Sequence, residues 1–199
     1  MKAYNPNKEI LKGSSKLPHW EQDGVAYFIT FRLADSLPQK LLHKLKVEKE
    51  KWLNQHPKPR SAETDQEYHK LFSAKIEQWN DQGHGACELK SPEVREILKR
   101  KLVSTVQENG TLYSFVIMPN HVHFCATVPK GELSTTMMKL KGGSAVEINR
   151  HLKRTGSLWQ RDYFDRMIRD QRHFQRVLRY IAANPKNLRP EHFTLWITT

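Results

Sequence analysis

In the run VIMPNHVHF, His121 and His123 are separated by a single residue. Successive side chains of an extended chain point to opposite faces, so the two imidazoles share one face and Val122 takes the other. Two imidazoles on one face can hold a divalent cation, and the same pair also suits hydrogen-bonded histidines of a surface strand; further ligands decide between the two. The segment RYIAANP brings Tyr180 and Asn184, four residues apart and therefore on one face of a helix, with Arg176 one turn and His173 two turns earlier. A phenol can form a covalent phosphoester, but its ordinary pKa is about 10, so it needs a nearby cation to react near neutral pH. Read alone, Tyr180 also fits a core aromatic and Asn184 a helix C-terminus. The chemistry therefore rests on the two segments meeting.

The charge balance points to the class of partner. The chain of 199 residues carries 33 Lys and Arg against 21 Asp and Glu, a net +12, and such a surface attracts polyanions, nucleic acid first among them. The excess is concentrated between residues 139 and 179, where Lys139, Lys141, Arg150, Lys153, Arg154, Arg161, Arg166, Arg169, Arg172, Arg176 and Arg179 face only four acids, Glu147, Asp162, Asp165 and Asp170. This stretch, above all Lys139, Lys141, Arg161, Arg169, Arg172, Arg176 and Arg179, is the expected surface for tracking a DNA strand, with salt-sensitive affinity and with Trp159 and Tyr163 as candidates for stacking on unpaired bases; Trp159 reads first as core. The two cysteines, Cys87 and Cys125, lie far apart in no CxxC spacing, which argues against a disulfide framework or a four-ligand zinc site and fits a reducing cytoplasm. No segment reads as membrane-spanning.

The elements that must position these residues follow from periodicity. VAYFITFRL, residues 25 to 33, is a β-rich run. Ser36 with Gln39 resembles a capping box before a charged helix to about Asn54, and a second helical pattern runs through Tyr68, Leu71, Phe72, Ile76 and Trp79. Ser91-Pro92 opens a third helix that Asn109-Gly110 closes. Residues 113–118 and 121–128 read as a hairpin turning at Pro119-Asn120, followed by a helix over about 134–154 that Gly142-Gly143 should bend. A strand over 163–169 and a helix from Asp170 to about Asn184, ended by Pro185, complete the pattern. This order predicts an α+β fold: a ferredoxin-like antiparallel sheet covered by helices, in a single domain over 1–199 with a helical insertion at about 40–108 and a C-terminal tail at 185–199.

Taken together, VIMPNHVHF, WQRDYFDRMIRD, RYIAANP and the earlier PHWEQDGVAYFITFRLADSLP resemble the HUH-type single-strand transposases, specifically the REP-associated tyrosine transposases. The resemblance implies His121, His123 and Asn184 as ligands of Mg²⁺ or Mn²⁺ and Tyr180 as the nucleophile. It implies cleavage and rejoining of single-stranded, hairpin-forming DNA through a 5′-phosphotyrosine. The family pattern continues after NP with an Ala-Gly-containing turn, whereas this chain has Pro185, Lys186, Asn187, Leu188, Arg189 and Pro190. Two other classes stay open at this stage: a domesticated protein that binds hairpins without cutting, and a hydrolytic metal-dependent nuclease. Monomer and homodimer are both open.

Overall fold

The computed structural model describes residues 4–5, 7–9, 11–12, 20–37, 39–57, 59–68, 71–72, 79 and 83–198. These form two compact units, one of residues 35–87 and one of residues 1–34 with 88–199. In the first lie α1 (Gln39–Gln55) and α2 (Ala62–Tyr68). Its small core joins Leu45, Trp52 and Phe72, and the Trp52 ring stacks on His56 at 4.2 Å. Solvent-side pairs such as Lys44–Glu48 and Lys46–Glu50 are spaced one turn apart along α1. Most of the helical pattern expected from Tyr68 to Trp79, and Pro38 of the expected capping box, lie outside the described residues.

The larger unit begins with a short ribbon, β1 (Leu11–Lys12) paired with β2 (Trp20–Glu21). Its main sheet comprises β3 (Ala26–Arg32), β4 (Thr111–Ile117), β5 (His121–Thr127), β6 (Phe164–Met167) and β7 (Thr194–Ile197), in the order β6-β3-β5-β4-β7. Every pairing in it is antiparallel. Helix α3 (Pro92–Gln107) connects β3 to β4, α4 (Leu133–His151) connects β5 to β6, and α5 (Gln171–Ala183) follows β6. The first four main strands and their two crossover helices are the expected ferredoxin-like arrangement.

Alternation along β3 and β5 makes two cores. Tyr27, Ile29, Phe31, Val122, Phe124 and Ala126 join Leu98 and Leu102 of α3 and Leu140 and Ile148 of α4 on one face. Ala26, Phe28 and Cys125 join Val177 and Ile181 of α5 on the other. A shift of register between Leu112 and Ser114 inserts a residue into β4, so that Leu112, Phe115 and Ile117 all reach the first core and Val116 the second. The start of α4 is capped from a distance: Glu132 makes no side-chain cap, and the buried Glu21 carboxylate accepts the backbone N–H groups of Gly131 (2.8 Å) and Leu133 (3.2 Å).

Three expectations change. The helical insertion, read as about 40–108, ends at residue 87, because Val94, Leu98, Leu102 and Val106 bury into the sheet core and make α3 a crossover helix. Gly142-Gly143, expected to bend or loosen the helix, leaves α4 continuous from Leu133 to His151; a Cβ on Gly143 would meet the far end of the Lys101 side chain, 2.8 Å from its Cε. Residues 185–199 are no free tail. They turn through two short 3₁₀ segments and return as β7, which pairs with β4.

The buried Arg95 of α3 fastens that return. Its guanidinium donates to the carbonyls of Leu89 (3.0 Å), Lys90 (2.6 Å) and Glu191 (2.6 Å), and its Nε to Thr194 Oγ1 (3.0 Å). Replacing it leaves several acceptors without a donor, so Arg95→Ala is expected to lower stability by about 3 kcal/mol. Urea unfolding measures that loss, and hydrogen exchange should show the amides of Thr194–Ile197 opening before those of β5.

Candidate active site

The hairpin of β4 and β5 positions the histidines. Pro119 and Asn120 form its tight turn, closed by Met118 N–H donating to His121 carbonyl oxygen at 2.8 Å, with the Asn120 carbonyl accepting from Leu33 N–H at 2.9 Å. The registers set Arg32 of β3 opposite His121 and Thr30 opposite His123. Both imidazoles lie on the face opposite Val122 and Phe124, as the spacing predicted, and both are buried.

Each ring is held by its Nδ1. Asn120 Oδ1 lies 2.8 Å from His121 Nδ1 and accepts its proton, which leaves the lone pair on Nε2. Thr30 Oγ1 lies 2.7 Å from His123 Nδ1. The two imidazole centroids are 4.7 Å apart, and His123 also stacks on Phe28 at 5.4 Å. Burial, reinforced by the positive charge of Arg32, pushes the His121 pKa down to about 3, and burial with His121 and Arg32 as neighbours holds His123 well below 6.5. Both rings are therefore neutral at pH 7, the state in which imidazole binds a metal.

Helix α5 carries the remaining groups. Asp170 caps it by accepting His173 N–H at 2.7 Å, and its Val177 and Ile181 anchor it to the second core. That anchoring turns Tyr180 toward the histidines: its ring lies 5.3 Å from His123 and 5.6 Å, edge-on, from Phe28. Asn184 follows one turn later at the helix end. Among the buried side-chain polar atoms without a hydrogen-bond partner are His121 Nε2 and Asn184 Oδ1. Burying such an atom unpaired is costly, and both are of the neutral donor type that a hard or borderline divalent cation accepts. The residues present fit a metal.

The basic residues divide. Arg161, Arg169, Arg172, Arg176 and Arg179 are exposed. Lys139 is exposed too, and pairs with Glu108 at 3.4 Å. Lys141 is instead a strut: its ammonium donates to the carbonyls of Arg161 (2.7 Å) and Asp162 (3.3 Å), and burial lowers its pKa to about 8. Trp159 is core, 4.8 Å from the Phe31 ring and donating to Ser144 Oγ at 3.0 Å, so it offers no stacking face. Four residues of the site went unremarked in the sequence: Phe28, Thr30, Arg32 and Asn120. Their signal was periodic, since Phe28, Thr30 and Arg32 are the alternate positions of β3 that its apolar Tyr27, Ile29 and Phe31 do not use.

The family model described as "Transposase IS200 like" matches residues 88–184, which span α3 to Asn184 and include both histidines and Tyr180. No curated protein matches the chain. Among solved structures, that of a REP-associated tyrosine transposase bound to a REP hairpin is similar in fold, with a TM-score of 0.50 and 14% identity over 87% of this chain and 73% of that one. The resemblance read from the motifs thus returns in both comparisons. Among the described residues no helix is long and apolar enough to cross a membrane.

The two buried histidines make stability depend on pH. Below pH 6.5 the unfolded chain binds protons at His121 and His123 that the folded chain refuses down to about pH 3 at His121, so the folded state loses ground as pH falls. The loss should approach about 1.4 kcal/mol per pH unit at His121 between pH 6 and 4, with His123 acting in the same direction. Urea midpoints of the wild type and of a His121→Gln, His123→Gln variant would show it as a steeper acid decline in the wild type; parallel declines would overturn it.

Proposed function

We propose that this chain, whose residues 88–184 match the IS200-like transposases, cleaves and rejoins single-stranded DNA through a covalent bond to Tyr180. The observation that carries the proposal is the contact of the Tyr180 ring with His123, itself packed against His121, whose buried Nε2 lacks a partner; Asn184, with its own unpartnered Oδ1, follows Tyr180 by one turn.

His121, His123 and Asn184 would hold a divalent cation, Mg²⁺ or Mn²⁺ by family resemblance. When bound, it would polarise the scissile phosphate and offset its charge. The three side chains are neutral, so they leave the cation's charge undiminished. Asn120 and Thr30 hold the imidazoles in position, and the edge of Phe28 packs against Tyr180. Arg32 adds a positive charge beside both histidines, suited to the non-bridging oxygens of a phosphodiester.

Tyr180 oxygen attacks phosphorus as its proton passes to solvent. The new O–P bond forms, the bond from phosphorus to the 3′-oxygen breaks, and that oxygen takes up a proton. A 5′-phosphotyrosine and a free 3′-hydroxyl result. The number of phosphoester bonds is unchanged, so attack by a second 3′-hydroxyl reverses the step and joins strands without a nucleotide cofactor. The solved structure of similar fold holds a REP hairpin; by extension the substrate here is a hairpin-forming single strand, gripped by the exposed arginines of α5.

Incubation with labelled hairpin DNA and Mn²⁺, followed by denaturing gels, should give label attached to protein, and Tyr180→Phe should abolish the adduct while DNA binding persists. Free cleaved DNA with no adduct would instead mark a hydrolytic nuclease, and binding without cleavage a hairpin-binding protein. In the Tyr180→Phe background, Asn184→Ala is expected to weaken Mn²⁺ binding by about tenfold or more, read by calorimetry, since one of three protein ligands is lost.

A further inference from the structure

One group on α5 has no part in the site described above. His173 lies two turns before Tyr180 on the same side of the helix. Its Nδ1 accepts the backbone N–H of Arg169 at 3.2 Å, which assigns the proton of the neutral ring to Nε2 and makes that nitrogen a donor. The ring is half-buried among cations. Arg166, Arg176 and Arg169 all act on it electrostatically, and burial, followed by these charges, keeps its pKa below the ordinary value. The single acid acting on it, Asp170, has its carboxylate engaged by the His173 N–H as the helix cap. The imidazole thus sits in a mainly cationic neighbourhood whose one carboxylate caps the helix.

This cluster adjoins the reacting residues. Arg166 of β6 stands opposite Phe28 in the ladder, and Phe28 touches both His123 and Tyr180. Alternation along β6 puts Arg166 on the face of Phe164, whose ring packs with Phe28 at 6.5 Å and lies under the Arg166 guanidinium at 5.7 Å. Arg176 comes from α5, one turn before Tyr180. Two guanidinium groups from different elements, both acting on the His173 ring, and the ring's own N–H are donors of the kind that a phosphodiester monoanion takes.

We propose that Arg166, His173 and Arg176 form a subsite for one non-scissile phosphate of the bound strand, seated beside Phe28 and Tyr180 and fixing which phosphodiester reaches the tyrosine. This rests on the cleavage function proposed above. The subsite positions the substrate and takes no part in bond making. A strand threaded past Tyr180 then has two fixed phosphates, the scissile one at the histidines and a second at this cluster, which sets the cleavage register.

The test is a scan with neutral methylphosphonate linkages. A labelled hairpin oligonucleotide bound by Tyr180→Phe protein carries one such linkage at each position near the cleavage point in turn. At one non-scissile position the substitution should weaken binding about tenfold, and in the same background with Arg166→Ala and Arg176→Ala it should cost less than about twofold, because the groups that sensed the charge are gone. Lys99→Ala, on the exposed face of α3, should keep the full penalty. In the Tyr180-bearing enzyme the double substitution should spread cleavage over neighbouring phosphodiesters. His173→Gln should lower affinity several-fold without altering its salt dependence, since a neutral donor releases no counterion.

Equal methylphosphonate penalties in the double variant and its parent would overturn the subsite while leaving the function intact. Failure of the parent protein to bind any hairpin would overturn the function and the subsite together. Circular dichroism matching the parent confirms that the variants fold.

Discussion

The antiparallel ladder between β3 and β5 is the constraint on which the site depends. Its register sets Thr30 against His123 and Arg32 against His121, and side chains of a strand have a period of two. A slip by one residue would turn both histidines into the apolar core and expose Val122 and Phe124. Full burial of Tyr27, Ile29 and Phe31 on the far face makes such a slip prohibitive. The hydrophobic core thus acts as the aligning device for the polar face. The tight turn at Pro119 and Asn120 adds a second lock, because its side-chain oxygen is a partner of the first histidine.

Burying two imidazoles beside a guanidinium is a net cost to the folded state, and the local structure shows how it is reduced. Keeping both rings neutral avoids burying two charges, and satisfying each Nδ1 removes two of the four ring nitrogens from the desolvation penalty. The penalty left on His121 Nε2 and Asn184 Oδ1 is of the kind that sites for ligands carry. Strain of this sort is relieved when a suitable partner binds, so the empty donors favour binding over further internal packing. The fold offsets the cost elsewhere, through the Glu21 cap on α4 and the four-fold anchorage of Arg95.

Much of this was legible in the sequence, and the reasons for the rest are physical. The HxH spacing, the hairpin turn and the apolar rhythm of β3 are local signals, and they led to the observed strands and to the face on which the histidines lie. The Tyr180 to Asn184 spacing placed Tyr180 on α5 and Asn184 one turn later, where the structure has the residue that ends the helix. Partners contributed by other elements left no local trace. That Thr30 and Arg32 line the site follows from the pairing of β3 with β5, a contact between segments nearly a hundred positions apart, for which no short motif exists. The bulge in β4 and the return of residues 194–197 as an edge strand were missed because four-residue strands carry too little periodicity, and proline-rich entry through Pro185 and Pro190 reads as the end of structure. Lys141 was misjudged for a different reason: composition counts a cation, but only packing shows that its ammonium is spent on two carbonyls.

Helix α5 brings these strands of argument together, since one turn-by-turn repeat must serve three neighbours. At 100° per residue its side chains sort into adjoining stripes. Phe174, Val177, Leu178 and Ile181 meet the sheet; His173, Tyr180 and Asn184 form the next stripe; Arg172, Arg176 and Arg179 form the outermost, exposed to solvent. Tyr180 is consequently at a boundary, packed on one side by Phe28 and His123 and open on the other to the side from which a polyanion would come. Deeper in the core the phenol would be out of a polyanion's reach, and a further step out it would lose the aromatic contacts that orient it. Rotating the helix by even one residue's angle would exchange these roles, so the burial of Val177 and Ile181 is what holds the hydroxyl at the interface between a rigid, neutral pocket and a cationic rim.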